Sequence, residues 1–271
     1  MFPIGIACTK KMVFTNKTYM KNTILIIAVF LVFTKTVFAQ VYNAGKSKEW
    51  VSQSEDSEGS EYKIDLVENL KAYDFAKIWQ DNKYPVLGII GENYQRLSIR
   101  YISIIQDNEN QNVYFVYGKS KVKNNICEFQ GKIELIQNYK QKENISANYK
   151  SEGYIVANCI FYEKSAQSHS GYFKGVLKTY YAINKNDILE YPDDGDEPDT
   201  NCNNGFVGVW TDYKTKKSKP AHWGADFVPL STDLNVTSAV GDFIPNVKYQ
   251  NNGWQSTNNN WKIDSPQNWW K

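Results

Sequence analysis

The sequence predicts an all-β domain, an antiparallel meander of about eight strands that closes into a barrel. Three observations predict it: long strand-like runs joined by short turns, one hairpin whose register satisfies both of its faces, and glycines placed two residues after phenylalanines. A helical element is expected before the strands, and an irregular tryptophan-rich tail is expected after them.

The clearest hairpin lies over 113–135, with Asn124 and Asn125 as its two-residue turn, because Asn tolerates the positive φ that a type I′ turn requires. This turn gathers the apolar side chains on one face and opposes Lys to Glu on the other. Gly118 opposite Gly131 predicts a tight bend in both strands. The predicted facing pairs are Val122–Cys127, Ser120–Phe129, Gly118–Gly131, Val116–Ile133 and Tyr114–Leu135.

The other elements follow in chain order. Residues 65–80 carry a helical apolar pattern, and we expect this element to close one end of the barrel. In the strand over 171–184, alternate residues from Phe173 to Ile183 share one side. The remaining strands are predicted over 86–90, 97–106, 153–163, 188–191 and 206–213. The triplets Phe129-Gln-Gly131, Phe173-Lys-Gly175 and Phe206-Val-Gly208 predict points where the sheet curls.

The first 39 residues are predicted to be a signal peptide. Lys17 and Lys21 precede an apolar run over 24–33, and Val37-Phe38-Ala39 provides a cleavage site. The run is short for a membrane span. We therefore expect an exported protein, periplasmic or extracellular, with no membrane span after cleavage.

The charge balance after cleavage excludes a basic protein that seeks nucleic acid. Removing the five lysines of 1–39 leaves 26 basic against 29 acidic residues. A short lysine run remains after the last predicted strand, and it could meet an anionic partner, although such runs are usually solvated. It consists of Lys214, Lys216, Lys217 and Lys219.

The chain divides into a signal peptide over 1–39, a flexible polar arm over 40–62, the barrel domain over 63–213 and a Trp/Asn-rich segment over 214–271. Six of the eight tryptophans lie from Trp210 to the C-terminus. A segment that packs on the barrel and buries its indoles is favoured over a sugar-stacking surface.

Cys127 and Cys159 are the expected disulfide pair of an exported chain, and two buried free thiols are the alternative. An acidic loop provides weak calcium candidates because hard cations bind clustered oxygens, but its spacing does not match the EF-hand pattern. The loop carries Asp193, Asp194, Asp196 and Asp199. A solvated loop is the favoured interpretation, and no cofactor or bound metal is predicted.

Two resemblances add to this reading. Gly208-Val-Trp210 resembles the Gly-x-Trp signature of lipocalin-type (calycin) barrels, where the motif lies on the first strand; here it lies near the last. The run over 85–96, together with 121–127, is similar to exported proteins of Bacteroidetes, a resemblance that implies no activity. The first resemblance implies a calycin-like barrel.

Eight-stranded barrels hold one small ligand or are filled by their own side chains. We therefore expect a non-catalytic binding barrel for a small apolar or carbohydrate ligand. Its expected ligand-binding residues are Trp210, Trp223, Trp254, Trp261 and His222. A protein-interaction module, such as an inhibitor or immunity-type protein, is the alternative. A hydrolase using His222 or His169 ranks third, because no nucleophile elbow or paired-carboxylate pattern accompanies either histidine.

Overall fold

Alternation of apolar and polar side chains produces ten antiparallel strands in one sheet within the part of the chain that the structure describes. The computed structural model describes residues 42–58, 61–80, 86–143, 146–192, 203–225, 227–236, 243–255 and 268–271. The helices are α1 (Ser47–Glu58) and α2 (Ala76–Gln80), and 3-10 helices span Val67–Leu70 and Val247–Asn252. The strands are β1 (Tyr62–Asp65), β2 (Val86–Ile90), β3 (Gln95–Gln106), β4 (Val113–Val122), β5 (Asn125–Gln141), β6 (Tyr149–Glu163), β7 (Gly171–Asn184), β8 (Leu189–Glu190), β9 (Gly205–Asp212) and β10 (Ser218–Ala225).

Eight of these strands pair in a closed ring, in the order β2–β3–β4–β5–β6–β7–β9–β10. The ring closes where β10 pairs with β2, with Leu87 opposite Gly224. Strand β1 pairs with the far end of β5, and β8 pairs with β7. The predicted all-β antiparallel meander is therefore confirmed, with its strands in a ring.

The predicted hairpin is present, but its register is shifted by two residues. The turn consists of Lys123 and Asn124, with Lys123 at φ +54°, so that Val122 faces Asn125 and Val116 faces Gly131. A two-residue turn that moves by one position changes every partner by two and leaves each side chain on its own face. The predicted faces are right, and the predicted partners are wrong.

Facing glycines do occur in the ring, between β7 and β9 rather than in this hairpin. Gly175 lies opposite Gly208, and a Cβ on either glycine would lie within 2.3 Å of a carbonyl oxygen of the neighbouring strand. At Gly131 the corresponding distance, to the Ile160 carbonyl oxygen, is 1.9 Å. The glycines of the predicted triplets thus lie where the backbones of neighbouring strands leave no room for a Cβ atom.

Apolar side chains fill the ring, and residues 67–79 close one of its ends. The single predicted helix is instead the 3-10 helix Val67–Leu70 followed by α2. The Trp79 indole of α2 donates to Thr179 Oγ1 at 3.0 Å, and the N–H of Phe75, just before α2, donates to Tyr114 Oη at 3.2 Å. Trp79 and Phe75 belong to the same buried cluster as the inward side chains of the strands.

Strand β10 was not among the predicted strands, because Pro220 and Gly224 lie on either side of Trp223 and both residue types favour turns. The Pro220 carbonyl accepts from Gly91 N at 2.8 Å on the side of β10 that faces β2. The N–H and C=O of one strand residue point to the same side, so the N–H that proline lacks would point past the end of β2. The carbonyl of Gly91, the residue opposite, accepts from Tyr94 N at 3.1 Å instead, so proline is tolerated there.

Segments before and after the ring cover parts of its outer face. Helix α1 lies where a flexible arm over 40–62 was expected; it places Val51 against an outward cluster with Tyr154 and Val176. Its sequence is mostly polar, and a small apolar face is enough to hold it. On the opposite flank, Trp254 packs with Leu87 of β2 in a second outward cluster. Across the described residues, we find no helix long and apolar enough to cross a membrane.

Candidate functional site

The structure describes three of the tryptophans that were predicted as ligand contacts, and all three are buried core residues. Trp223 is 1% exposed inside the ring and stacks on Phe206, with ring centroids 3.7 Å apart. Trp254 is equally buried and donates from its indole to the Tyr94 carbonyl at 2.8 Å. Trp210 is 7% exposed. None of the three offers a face to a ligand outside the protein.

The Trp210 indole instead donates to a buried carboxylate, Glu163 Oε2, at 2.9 Å. Gly171 N donates to the same oxygen at 2.7 Å, and the Ser120 hydroxyl donates to the other one. Burial raises the pKa of Glu163, and these three donors partly oppose the rise. The cluster thus surrounds a buried carboxyl group with three neutral donors at one end of the ring.

His222 lies on the outward side of β10 beneath the C-terminal segment, 5% exposed, with Nδ1 3.1 Å from the Pro229 carbonyl oxygen. Burial lowers the pKa of His222 to about 4. A neutral imidazole facing a backbone carbonyl is a packing contact. His169 lies in the exposed β6–β7 loop with φ +54°.

Cys127 and Cys159 do not form the expected disulfide. Both are buried free thiols. Cys159 pairs with Ile133, six residues along β5 from Cys127, which is about 20 Å at the usual strand rise. A disulfide needs Cα atoms within about 7 Å, so the alternative of two free thiols describes the structure.

The remaining predicted positions, Trp261 and the acidic residues Asp193, Asp194, Asp196 and Asp199, lie outside the described residues. Among the residues that are described, no three His, Cys, Asp or Glu side chains come together as a metal site.

In the described part of the chain, a small cavity of about 40 Å³ lies between α2 and the strands. Tyr101, Trp79 and Trp223 border it. The Tyr101 hydroxyl and the Trp223 indole nitrogen make no hydrogen bond within the described part of the chain. Burial raises the pKa of Tyr101 well above its usual range, and the neighbouring Trp223 N–H partly opposes that rise. The space suits a water molecule and is far below the ~300 Å³ of a typical ligand pocket.

The outer face carries a second feature, a row of three tyrosines that we call the tyrosine strip: Tyr162 on β6, Tyr172 on β7 and Tyr213 in the β9–β10 loop. Tyr162 and Tyr172 are direct cross-strand partners with ring centroids 5.9 Å apart. Tyr172 and Tyr213 follow at 6.0 Å, and the successive rings are inclined by 37° and 33°. Tyr162 is 50% exposed, so the strip presents aromatic surface outside the ring.

Polar groups border the strip. Gln130 lies opposite Tyr162 on β5, and Lys132 and Glu134 pair along the same strand at 3.5 Å. On β7, the Lys174 ammonium lies 4.6 Å from the centre of the Tyr42 ring. Aromatic faces edged by amide and charged groups form a surface that can both stack and hydrogen-bond.

Burial raises the pKa of Tyr213 to about 12, with the Glu163 charge as the next cause. Its hydroxyl is therefore protonated at neutral pH and remains a hydrogen-bond donor.

Sequence reasoning missed the strip, although a signal was present. Tyr162 and Tyr172 each alternate with a buried phenylalanine, Phe161 and Phe173, so their outward direction follows from the strand period. What the sequence alone does not supply is the β6–β7 register that brings them together.

Comparison with protein-family models, with curated proteins and with solved structures gives no match to this chain. The function is therefore argued from the geometry of the chain itself.

Proposed function

We propose that this protein is an exported, non-catalytic binding protein built on a calycin-like β-barrel, and that it binds carbohydrate along the tyrosine strip. The observation that carries the proposal is the strip itself, three adjacent aromatic rings on an outer face with one ring half exposed. Isolated exposed apolar residues are ordinary, whereas an ordered row of aromatic rings offers a shaped surface.

The interior supports this choice of surface. A cavity of about 40 Å³ has no room for a sugar ring or for a lipid chain. The other inward space is taken by side chains such as Phe129, Phe161 and Trp223, which is one of the two ways in which an eight-stranded barrel is filled. A ligand larger than a water molecule would therefore bind on the outer face rather than in this cavity.

The chemistry of the strip suits sugars. A pyranose ring has one face of C–H groups, which packs on a flat aromatic ring, and a rim of hydroxyls, which needs polar partners. The strip supplies the flat rings, and Gln130 and Lys132 lie beside it as partners for hydroxyls. Successive rings about 6 Å apart allow neighbouring sugars of one chain to contact neighbouring tyrosines.

Replacing Tyr162 by alanine tests the proposal. Loss of one stacking aromatic corresponds to about 0.5–1.5 kcal/mol, so binding to a soluble polysaccharide should weaken by about two- to tenfold. Affinity electrophoresis in gels containing the polysaccharide measures the change. The matched control is Phe115→Ala, which removes an aromatic residue 54% exposed on the same outer face but outside the strip. Equal retardation of Tyr162→Ala and the unaltered protein would remove the strip from the function.

A protein partner is the second candidate, and one observation favours it. Ile105 of β3 and Phe115 of β4 are direct cross-strand partners, and they are 64% and 54% exposed. Such a pair suits the apolar centre of a protein interface. The same two variants separate the candidates, because a protein partner would be lost with Phe115→Ala and retained with Tyr162→Ala.

Export is tested separately by N-terminal sequencing of the protein from its native host. The proposal expects a mature chain that begins at Gln40, and a chain that still contains residues 24–33 would refute this part of it.

A further inference from the structure

Four loops meet at one end of the ring: 91–94, 123–124, 164–170 and 213–217. Hydrogen bonds and ladder positions link them in a circle. Tyr213 N donates to the Ser170 carbonyl at 3.1 Å. Gly91 N donates to the Pro220 carbonyl at 2.8 Å, which joins the 91–94 loop to the start of β10, just after the 213–217 loop. The Gln167 side chain accepts from Glu128 N at 2.8 Å and thereby joins the β6–β7 loop to the β4–β5 hairpin. We call this end of the ring the basic end.

The basic end carries five lysines and one acidic residue in its loops. The lysines are Lys123, Lys164, Lys214, Lys216 and Lys217, all exposed, and the acidic residue is Glu92. The opposite end has the reverse balance: its described loop residues, 107–112, 142–143, 146–148 and 185–188, contain four acidic residues and two lysines. The chain is close to neutral as a whole, so the two signs are separated along the ring.

The acidic groups near the basic end do not balance these lysines. Asp212, at the end of β9, accepts from the backbone N–H groups of Lys214 at 2.8 Å and Thr215 at 2.6 Å, which folds the loop that presents the lysines. Glu163 is buried among three donors. Glu128 lies on β5 opposite Lys119 and is half-buried. The exposed side chains at this end are therefore predominantly cationic.

The tyrosine strip runs into the basic end. Tyr213 is the last ring of the strip and also the first residue of the loop that carries Lys214, Lys216 and Lys217. Beside the first ring, Lys164 follows β6 directly after Glu163. A chain that stacks on the three tyrosines thus continues over exposed ammonium groups.

We infer that the ligand is an acidic polysaccharide, one whose sugars carry carboxylate or sulfate groups. This inference rests on the proposed function and specifies its ligand class. The strip binds the sugar rings, and the lysines of the basic end bind the acidic substituents. Ammonium groups on flexible stems suit such substituents because they impose little geometric demand.

Four probes separate stacking from charge: polygalacturonate, its methyl-esterified neutral form, dextran sulfate and dextran. The full-length protein is run in affinity gels with each at roughly 0.05 and 0.5 M NaCl. We expect tight binding to one or both acidic forms, with the stronger of the two distinguishing carboxylate from sulfate. Binding to that form should weaken tenfold or more at the higher salt concentration, and the neutral counterparts should bind weakly.

Two triple variants locate the charge. Replacing Lys214, Lys216 and Lys217 by Gln should weaken binding to the acidic probe by about tenfold. Replacing Lys63, Lys142 and Lys185 by Gln changes the net charge equally, away from the basic end, and should leave binding unchanged. All six lysines are exposed, so folding is expected to be preserved in both variants.

The possible failures are distinguishable. Equal binding to acidic and neutral forms would overturn the inference and leave carbohydrate binding intact. Equal loss in the two triple variants would also overturn it, because the effect would then follow net charge. If polyglutamate bound as tightly as polygalacturonate and Tyr162→Ala bound both normally, the ligand would be any polyanion. Binding to none of the carbohydrate probes would refute the proposed function and, with it, this inference.

Discussion

Replacing Trp254 by alanine tests whether the C-terminal segment is part of the folded core or a detachable cover. The indole is 1% exposed, donates to the Tyr94 carbonyl at 2.8 Å and lies 5.4 Å beneath the Arg96 guanidinium. It packs with Leu87 and Ile89, which point outward from β2. The same short strand therefore has one face in the ring and one face beneath this tryptophan.

The magnitude follows from the burial. An indole buries ~200 Å², which at ~25 cal/mol per Å² corresponds to about 5 kcal/mol, an upper bound because the unfolded chain already shields part of that area. Measured Trp→Ala changes in cores cost about 3–5 kcal/mol. We therefore expect the free energy of unfolding to fall by about 3–5 kcal/mol. Trp254→Phe keeps most of the apolar contact and loses the hydrogen bond, and it should cost about 1–2 kcal/mol.

Guanidinium unfolding followed by far-ultraviolet circular dichroism measures these changes without relying on tryptophan fluorescence. The control is Trp270→Ala, since Trp270 is partly exposed and contacts Arg100 through a cation–π interaction at 4.6 Å. That variant should lose about 1 kcal/mol or less. Hydrogen exchange should also show faster exchange of β2 amides in Trp254→Ala. A loss no larger for Trp254→Ala than for Trp270→Ala would refute the reasoning and make the segment a detachable cover.

Three further predictions concern the ring. Burial raises the folded-state pKa of Glu163 above its ordinary 4.5. The fold therefore prefers the protonated carboxyl and loses stability as pH rises from 4.5 through the raised pKa. Denaturation at increasing pH from 4.5 should show the stability of Glu163→Gln rising relative to that of the unaltered protein. Gly131→Ala should cost about 3 kcal/mol or more in denaturant unfolding, because its Cβ would lie 1.9 Å from a carbonyl oxygen of β6. Cysteines at Lys119 and Glu128, direct partners on the outer face, should cross-link on oxidation, whereas cysteines at Lys121 and Glu128 should cross-link far less.

Each of these predictions has an outcome that contradicts it. A stability difference between Glu163→Gln and the unaltered protein that stays constant with pH would mean that this carboxyl keeps its ordinary pKa. An unchanged midpoint for Gly131→Ala would mean that β5 and β6 are not as close as described. Preferential cross-linking of the Lys121 variant would restore the register with Asn124 and Asn125 in the turn.

The faces of the strands were predictable from sequence, and their partners were not. In the β4–β5 hairpin, the apolar alternation fixes which side of the sheet each residue occupies. The alternation does not distinguish registers that differ by two residues, because such a shift leaves every residue on the same face of the sheet. The turn decides between the two registers, and here a lysine rather than an asparagine adopts the positive φ. Local propensity pointed to the wrong residue by one position.

Strand β2 shows how more could have been predicted. Its sequence, Val-Leu-Gly-Ile-Ile, is apolar on both faces, which is typical of a strand covered on both sides. That pattern required a covering segment, and the tryptophan-rich tail was the available one. Strand β10 was hidden because Pro220 and Gly224 carry strong turn propensities, which tertiary pairing overrides.

The candidate site was the least predictable part. Tryptophans were the predicted ligand contacts, although burial of the indoles in the C-terminal segment was the favoured interpretation. Trp223 and Trp254 are buried, as that interpretation expects of such large side chains. The tyrosines of the strip are 51 residues apart along the chain from Tyr162 to Tyr213. Only the pairing of β6 with β7 and the return through β9 bring them together.

Closure of the ring through β2 and β10 has a consequence for how the protein reaches its native state. The two strands that seal the ring are separated by the whole meander, with Leu87 meeting Gly224. Hairpins such as β4–β5 form locally and early. The pairing of β2 with β10 forms only once the last strand is available, because it closes the longest loop and has the largest loop-closure entropy cost. Until then, β2 has an unpaired edge able to recruit another chain. Folding should therefore be slow and concentration-sensitive, and a chain truncated before residue 218 should aggregate instead of populating a smaller stable domain.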